Sequence, residues 1–204
     1  MELKQYQQAV LNDLAQYIAI LKEQGSNHKA FSTYWKQKGI TLQQGEETFH
    51  PYCDTMNGAS NMTIKVPTAG GKTFIACNAI RTIFDAMPVN RTKVVAWFVP
   101  SDTILKQTYE NLKNPQHPYR QRIDTLFNGR VEVYDKQALL FGQNFNPTII
   151  KEQLSIFVLS IQSFATKTTD KRLVYNENEN LAEFAKTYSP SIRLPTSTLA
   201  SCST

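Results

Sequence analysis

The stretch Pro67-Thr68-Ala69-Gly70-Gly71-Lys72-Thr73 constrains this chain more than any other, because it dictates a strand, a tight loop and a helix in that order. A short apolar strand candidate, Met62 to Val66, precedes it, and an apolar-periodic helix candidate, Phe74 to Phe84, follows it. In that context a Gly-Lys-Thr string predicts a loop that cradles the phosphates of a nucleotide. The glycines let the backbone turn tightly and present its N–H groups to phosphate oxygens, and the helix N-terminus adds partial positive charge at the same point. Lys72 is placed to reach the β- and γ-phosphates, and the Thr73 hydroxyl to hold Mg²⁺. The plain alternative is a Gly-rich turn with Lys72 solvated and Thr73 as a helix cap. Seven consecutive fitting residues between a strand and a helix weigh against it.

At 204 residues the chain can bury a real core, as one large domain or two small ones. With 41% hydrophobic and 19% charged residues it reads as a soluble globular protein. The apolar runs are strand-sized, so a transmembrane helix is not expected. Its first residues, Met-Glu-Leu-Lys-Gln-Tyr-Gln, lack an apolar signal segment. Cys53, Cys77 and Cys202 are widely spaced, odd in number and without metal-ligand spacing. Together these features predict a cytoplasmic protein. The net charge of +5 is spread along the chain; it is compatible with a phosphate-backbone partner but does not demand one. His28, His50 and His117 are isolated from one another and read as loop or surface residues.

Residues 3 to 22 carry Leu3, Tyr6, Val10, Leu14, Tyr17, Ile18 and Leu21 at helical spacing, and Gly25-Ser26-Asn27 stops the pattern. Residues 28 to 60 are mixed; a short helix over Ala30 to Lys38 is expected, then a long connection. From residue 61 strands and helices alternate: strand Met62 to Val66, helix Thr73 to Met87, strand Lys93 to Val99, and a helix to Lys113 capped by Ser101 or Asp102. The apolar run Lys93 to Val99 reads as a strand covered on both faces. A loop over Pro115 to Pro118, strands Val131 to Tyr134 and Leu154 to Leu159, and a helix Asn180 to Tyr188 complete the pattern. The alternation predicts an α/β domain with a mainly parallel sheet flanked by helices. Three parts follow: 1–60, an N-terminal helix with a connecting insertion; 61–188, the phosphate-loop domain; and 189–204, an irregular tail.

Three more segments lie in order around the loop: Leu3-Lys4-Gln5-Tyr6-Gln7; Val99-Pro100-Ser101 followed by Leu105 and Gln107; and Leu159-Ser160-Ile161-Gln162-Ser163-Phe164. The strict P-loop pattern asks for Gly at position 66, where this chain has Val66. The variant Pro-Thr-x-x-Gly-Lys-Thr, with Ala69 where Gly is more usual, resembles the loop of superfamily 2 helicases and translocases. The four segments together, over residues 3 to 164, resemble most closely the N-terminal ATP-binding part of the restriction subunit of type III restriction enzymes. The resemblance implies a RecA-like motor domain that uses ATP and Mg²⁺ to move along or open duplex DNA, although the residues do not separate DNA from RNA. It implies that Gln7 reads adenine, that Pro67 to Thr73 hold the nucleotide, and that Lys72 and Thr73 take part in catalysis. It also implies that Pro100, Ser101, Ser160 and Gln162 lie along a nucleic-acid track, and that a modification or recognition subunit is a partner.

One part of that family pattern has no counterpart. The acidic motif, Asp-Glu-x-His or a relative, does not occur; Glu46-Glu47 is the only adjacent acidic pair and precedes the loop. Hydrolysis needs carboxylates for Mg²⁺ and for the attacking water. The expectation is an N-terminal piece of a larger enzyme, incomplete at the C-terminus, with an open sheet edge that favours self-association. The rival from another class is a non-catalytic nucleotide-binding or scaffold module that kept the loop without hydrolysis. A small-molecule kinase with a lid at residues 114 to 130, using Arg120, Arg122 and Arg130, is the weakest reading.

Overall fold

A computed structural model describes residues 1–40, 52–54, 59–88, 92–141 and 152–160 of the chain. The expected helix over Asn180 to Tyr188, the tail, Gln162, His50, Cys202 and Glu46-Glu47 lie outside the described residues.

Helix α1 (Gln5–Gln24) buries the apolar stripe Leu11, Leu14, Tyr17 and Ile20, as the spacing requires. Gly25 ends it in the left-handed region at φ 62°, with its N–H on the Leu21 carbonyl. Helix α2 (Asn27–Gln37) starts three residues before the expected Ala30. Helix α3 (Lys72–Asp85) opens at the phosphate loop and buries Phe74, Ile75, Cys77, Asn78 and Ile80. Strand β1 (Val94–Val99) leads to helix α4 (Asp102–Lys113), then come helix α5 (Pro118–Leu126) and strand β2 (Val131–Tyr134). The short helix α6 (Lys136–Phe141) and strand β3 (Leu154–Ser160) complete the described elements.

The three strands form one parallel sheet in the order β1-β3-β2, with Val94 opposite Ser155 and Val131 opposite Leu154. Parallel strands need crossover connections; α4 and α5 lie between β1 and β2 along the chain, and α6 lies between β2 and β3. One sheet face carries Val131, Val133, Leu154, Ile156 and Val158 against Cys77 and Ile80 of α3, Leu112 of α4 and Ile123 of α5. Burial in this core pushes the Cys77 thiol up to about 12. A smaller cluster, Leu11, Val66 and Ile75, joins α1 to α3 through the segment before the loop.

Three expectations need correction. The first strand, Met62 to Val66, has no sheet assignment among the described residues; Val66 is held by side-chain packing between α1 and α3 instead of by a ladder. β1 is not the doubly covered strand: Ala96 is exposed and Phe98 is 49% exposed, because β1 lies at the end of the strand order. That role falls to β3, buried at all its positions because it sits between the other two strands. Finally, Pro118 begins a helix where a loop was expected. Proline is tolerated at the first helical position, and the His117 ring nitrogen Nδ1 accepts the Tyr119 N–H at 3.2 Å as cap. Helix α6 also escaped the sequence reading, being six residues long.

The arginines of α5 have structural work. Arg120 bonds Asp124 at 2.9 Å and donates to the Leu112 and Val131 carbonyls at 3.3 and 2.8 Å, tying α5 to α4 and β2. Arg122 donates at 2.7 Å to Asn78 Oδ1, a buried amide on α3. Two of the three arginines of the kinase-lid reading are therefore tied into the fold. Arg120→Met strips two carbonyls of their donor and leaves Asp124 without its ion pair. We expect it to lower the unfolding free energy by about 1–3 kcal/mol, read from the urea midpoint.

Candidate nucleotide-binding site

The loop is shaped by backbone conformations that few residues adopt. Ala69 (φ 60°) and Gly71 (φ 70°) both lie in the left-handed region, where a side chain costs strain and glycine does not. Gly70 is required for a different reason. A Cβ there would sit 2.6 Å from Val66 Cγ1 and 2.9 Å from the Pro67 carbonyl oxygen. The Gly70 N–H bonds that same carbonyl at 3.0 Å and closes the turn. Gly71 then caps α3, with no side chain bonding the first amides of the helix. Those amides have no carbonyl one turn behind them, so they are donors for an anion.

Lys72 is exposed, and its Nζ donates at 3.0 Å to the Pro67 carbonyl, so the ammonium lies across the loop it belongs to. Thr73 follows it in the first turn of α3 and is partly exposed. Pro67 and Thr68 are exposed.

Gln7 does not lie on an exposed helix face; it is 4% exposed and packed on the loop. Its Oε1 accepts the Lys4 N–H at 3.0 Å and so caps α1, while its Nε2 donates at 3.2 Å to the Gly70 carbonyl. A Cβ on Gly71 would meet Gln7 Nε2 at 2.6 Å, so the loop and the amide fit each other only with glycine there. The Tyr6 hydroxyl donates to the same Gly70 carbonyl at 2.8 Å. In the sequence Tyr6 falls in the apolar stripe and in the Leu3 to Gln7 segment, with no role assigned to its hydroxyl. Its adjacency to Gln7 in the first helical turn is the signal that could have found it.

Val99 and Ser160 are register partners, so Pro100-Ser101 and Ser160 lie side by side at the carboxyl ends of β1 and β3. Pro100 is exposed, and Ser101 caps α4 by accepting the Ile104 N–H at 3.4 Å. Ser160 is fully buried, and among the described residues its hydroxyl has no hydrogen-bond partner. The structure thus pairs two of the sequence segments with each other and a third, Leu3 to Gln7, with the loop. Among the described residues no cluster of three His, Cys, Asp or Glu side chains could hold a metal ion, and no helix is long and apolar enough to cross a membrane.

A parallel sheet flanked by helices, with a glycine-shaped loop at the start of a helix, defines a RecA-like α/β domain of the helicase type. The chain belongs to the family of the type III restriction enzyme res subunit, whose description it matches over residues 1–187. That family is one of helicase-like ATPases. No curated protein and no solved structure matches the chain.

Because Gly70 has no room for a methyl group, Gly70→Ala must move Val66 or the Pro67 carbonyl. The expected cost is about 1–3 kcal/mol, read as a lower thermal midpoint with α1 and α3 still helical by circular dichroism.

Proposed function

We propose that the chain binds ATP with Mg²⁺ at residues Pro67 to Thr73 and serves as the nucleotide-binding part of a DNA helicase or translocase, the restriction subunit of a type III system or a relative. The observation that carries this reading is the loop itself, with Gly70 and Gly71 shaped for close backbone approach and the amides of α3 uncapped behind them. An arriving triphosphate replaces the Pro67 carbonyl as the partner of Lys72, exchanging a neutral acceptor for a charged one. Thr73 then offers its hydroxyl to Mg²⁺.

Gln7 fits the role of adenine reader without releasing its present bonds. Its Nε2 keeps a second N–H and its Oε1 a second lone pair beyond the contacts to Gly70 and Lys4. These are the donor and acceptor that an adenine edge requires. On the same reading Pro100, Ser101, Ser160 and Gln162 belong to the nucleic-acid track, with duplex DNA as partner and the cytoplasm as compartment. Register pairing of Val99 with Ser160 supports the grouping of Pro100, Ser101 and Ser160.

Turnover is a separate matter from binding. The sequence offers no acidic pair after the loop, and hydrolysis depends on such carboxylates. We therefore expect this chain to bind a fluorescent ATP analogue in a Mg²⁺-dependent manner while hydrolysing ATP at a rate near background. Lys72→Ala should weaken that binding at least tenfold, and Thr73→Ala should remove most of the Mg²⁺ dependence. Binding equal in the Lys72→Ala variant would refute the assignment of the loop, and brisk Lys72-dependent hydrolysis would refute the separation of binding from turnover.

A further inference from the structure

A second concave site lies away from the phosphate loop. It is a cavity of about 460 Å³ between α1, α2 and the segments at 52–53 and 61–65, a size suited to a small organic ligand. Five aromatic residues line it, Tyr17, Phe31, Tyr34, Trp35 and Tyr52. The rings meet one another steeply, Tyr17 on Tyr34 at 80° and Phe31 on Trp35 at 72°, so they stand as angled walls and not as one stack.

Most polar groups around this cavity are committed. The Tyr52 hydroxyl accepts the Asn61 N–H at 2.9 Å, Asn61 Nδ2 donates to the Cys53 carbonyl at 2.9 Å, and Asp13 is paired with Lys38. Tyr17 differs. It is 6% exposed, and among the described residues its hydroxyl has no hydrogen-bond partner. Burial, with Tyr52 close by, pushes its phenol above the ordinary tyrosine value, so it is neutral and able to donate as well as accept. Burying an unpaired hydroxyl costs stability, and a phenylalanine would fill the same place without that cost.

We propose that this cavity is a second ligand site, and that it takes a nucleobase. A flat heteroaromatic ring meets the aromatic walls with its faces and the Tyr17 hydroxyl with a polar edge atom, whereas an aliphatic ligand leaves that hydroxyl unpaired. Lys65 also lines the cavity and is exposed, so it can offer an ammonium to the phosphate of the same nucleotide. The site is distinct from the one at Gln7. Val10 is the first residue of α1 to line it, and Tyr17 stands ten positions beyond Gln7, about 15 Å along the helix. The base can belong to a free nucleoside or to a single strand, since the ring chemistry is the same.

The test uses Trp35 as reporter. The chain holds two tryptophans, so Trp97→Phe leaves Trp35 alone in the full-length chain. Probes are adenosine and cytidine, a single-stranded thymidine 12-mer, and an abasic 12-mer of the same length. We expect Trp35 quenching with base-bearing probes and none with the abasic strand. Quenching by nucleosides identifies a free ligand, and quenching by the 12-mer alone identifies a strand. Tyr17→Phe should weaken this binding at least fivefold while the melting temperature holds or rises, and Lys72→Ala should leave it unchanged. The site is refuted by no quenching with any base-bearing probe, by equal binding in Tyr17→Phe, or by loss in Lys72→Ala, which would move the base to the phosphate loop. The ATP-analogue titration reads the loop separately, so either assignment can fail alone.

Discussion

The Gly70 carbonyl is the contact on which the rest of the site depends. It accepts hydrogen bonds from Gln7 Nε2 and from the Tyr6 hydroxyl, which reach it from 63 and 64 residues earlier in the chain. A loop of glycines has the conformational freedom to turn, and that freedom must be removed for the loop to hold a shape. Two donors on one carbonyl remove it from outside, while the Gly70 N–H on Pro67 removes it from within. The same Gln7 side chain caps α1 through its oxygen, so the start of the helix and the shape of the loop are fixed by one amide. Fixing the backbone beforehand is what allows N–H groups to meet an anion without paying an ordering cost on arrival.

That arrangement explains why residues before the loop do not need a strand ladder to be held in place. Val66 packs between Leu11 of α1 and Ile75 of α3, and this cluster sits directly under Gly70. A methyl on Gly70 would press on Val66, so the apolar packing and the loop turn are two sides of one fit. The main core under the sheet lies further along α3, at Cys77 and Ile80, and is joined to α5 through Asn78 and Arg122. Helix α3 therefore carries the loop at its first turn and the core at its second and third.

How much of this was legible in the sequence depended on whether the signal was local. The loop, helices α1 and α3, and the strands at 94–99, 131–134 and 154–160 announced themselves through periodicity and glycine placement. Strand pairing was not legible, because it depends on partners far along the chain. An apolar run such as Val94 to Val99 looks the same at the edge of a sheet as at its centre. Helix α5 was hidden by Pro115 and Pro118, which read as loop residues although Pro118 occupies the one helical turn that tolerates it. The double role of Gln7 was also beyond local reading. Its spacing from Lys4 suggested nothing, while its contact with Gly70 spans 63 residues.

The N-terminal helix gains a meaning from these contacts that periodicity could not give it. Its apolar stripe explains Leu11, Leu14 and Ile20, but not why a tyrosine with an unpaired hydroxyl should occupy the Tyr17 position in the same stripe. Nor does the stripe explain a glutamine buried at position 7. Both are polar groups on a buried face, where an apolar residue would stabilise the helix packing more simply. Gln7 is accounted for by the loop it touches. Tyr17 has no such account, and its hydroxyl borders a cavity walled by other rings. One helix thus presents two buried polar groups at two levels, one satisfied by the loop and one left unpaired among the described residues.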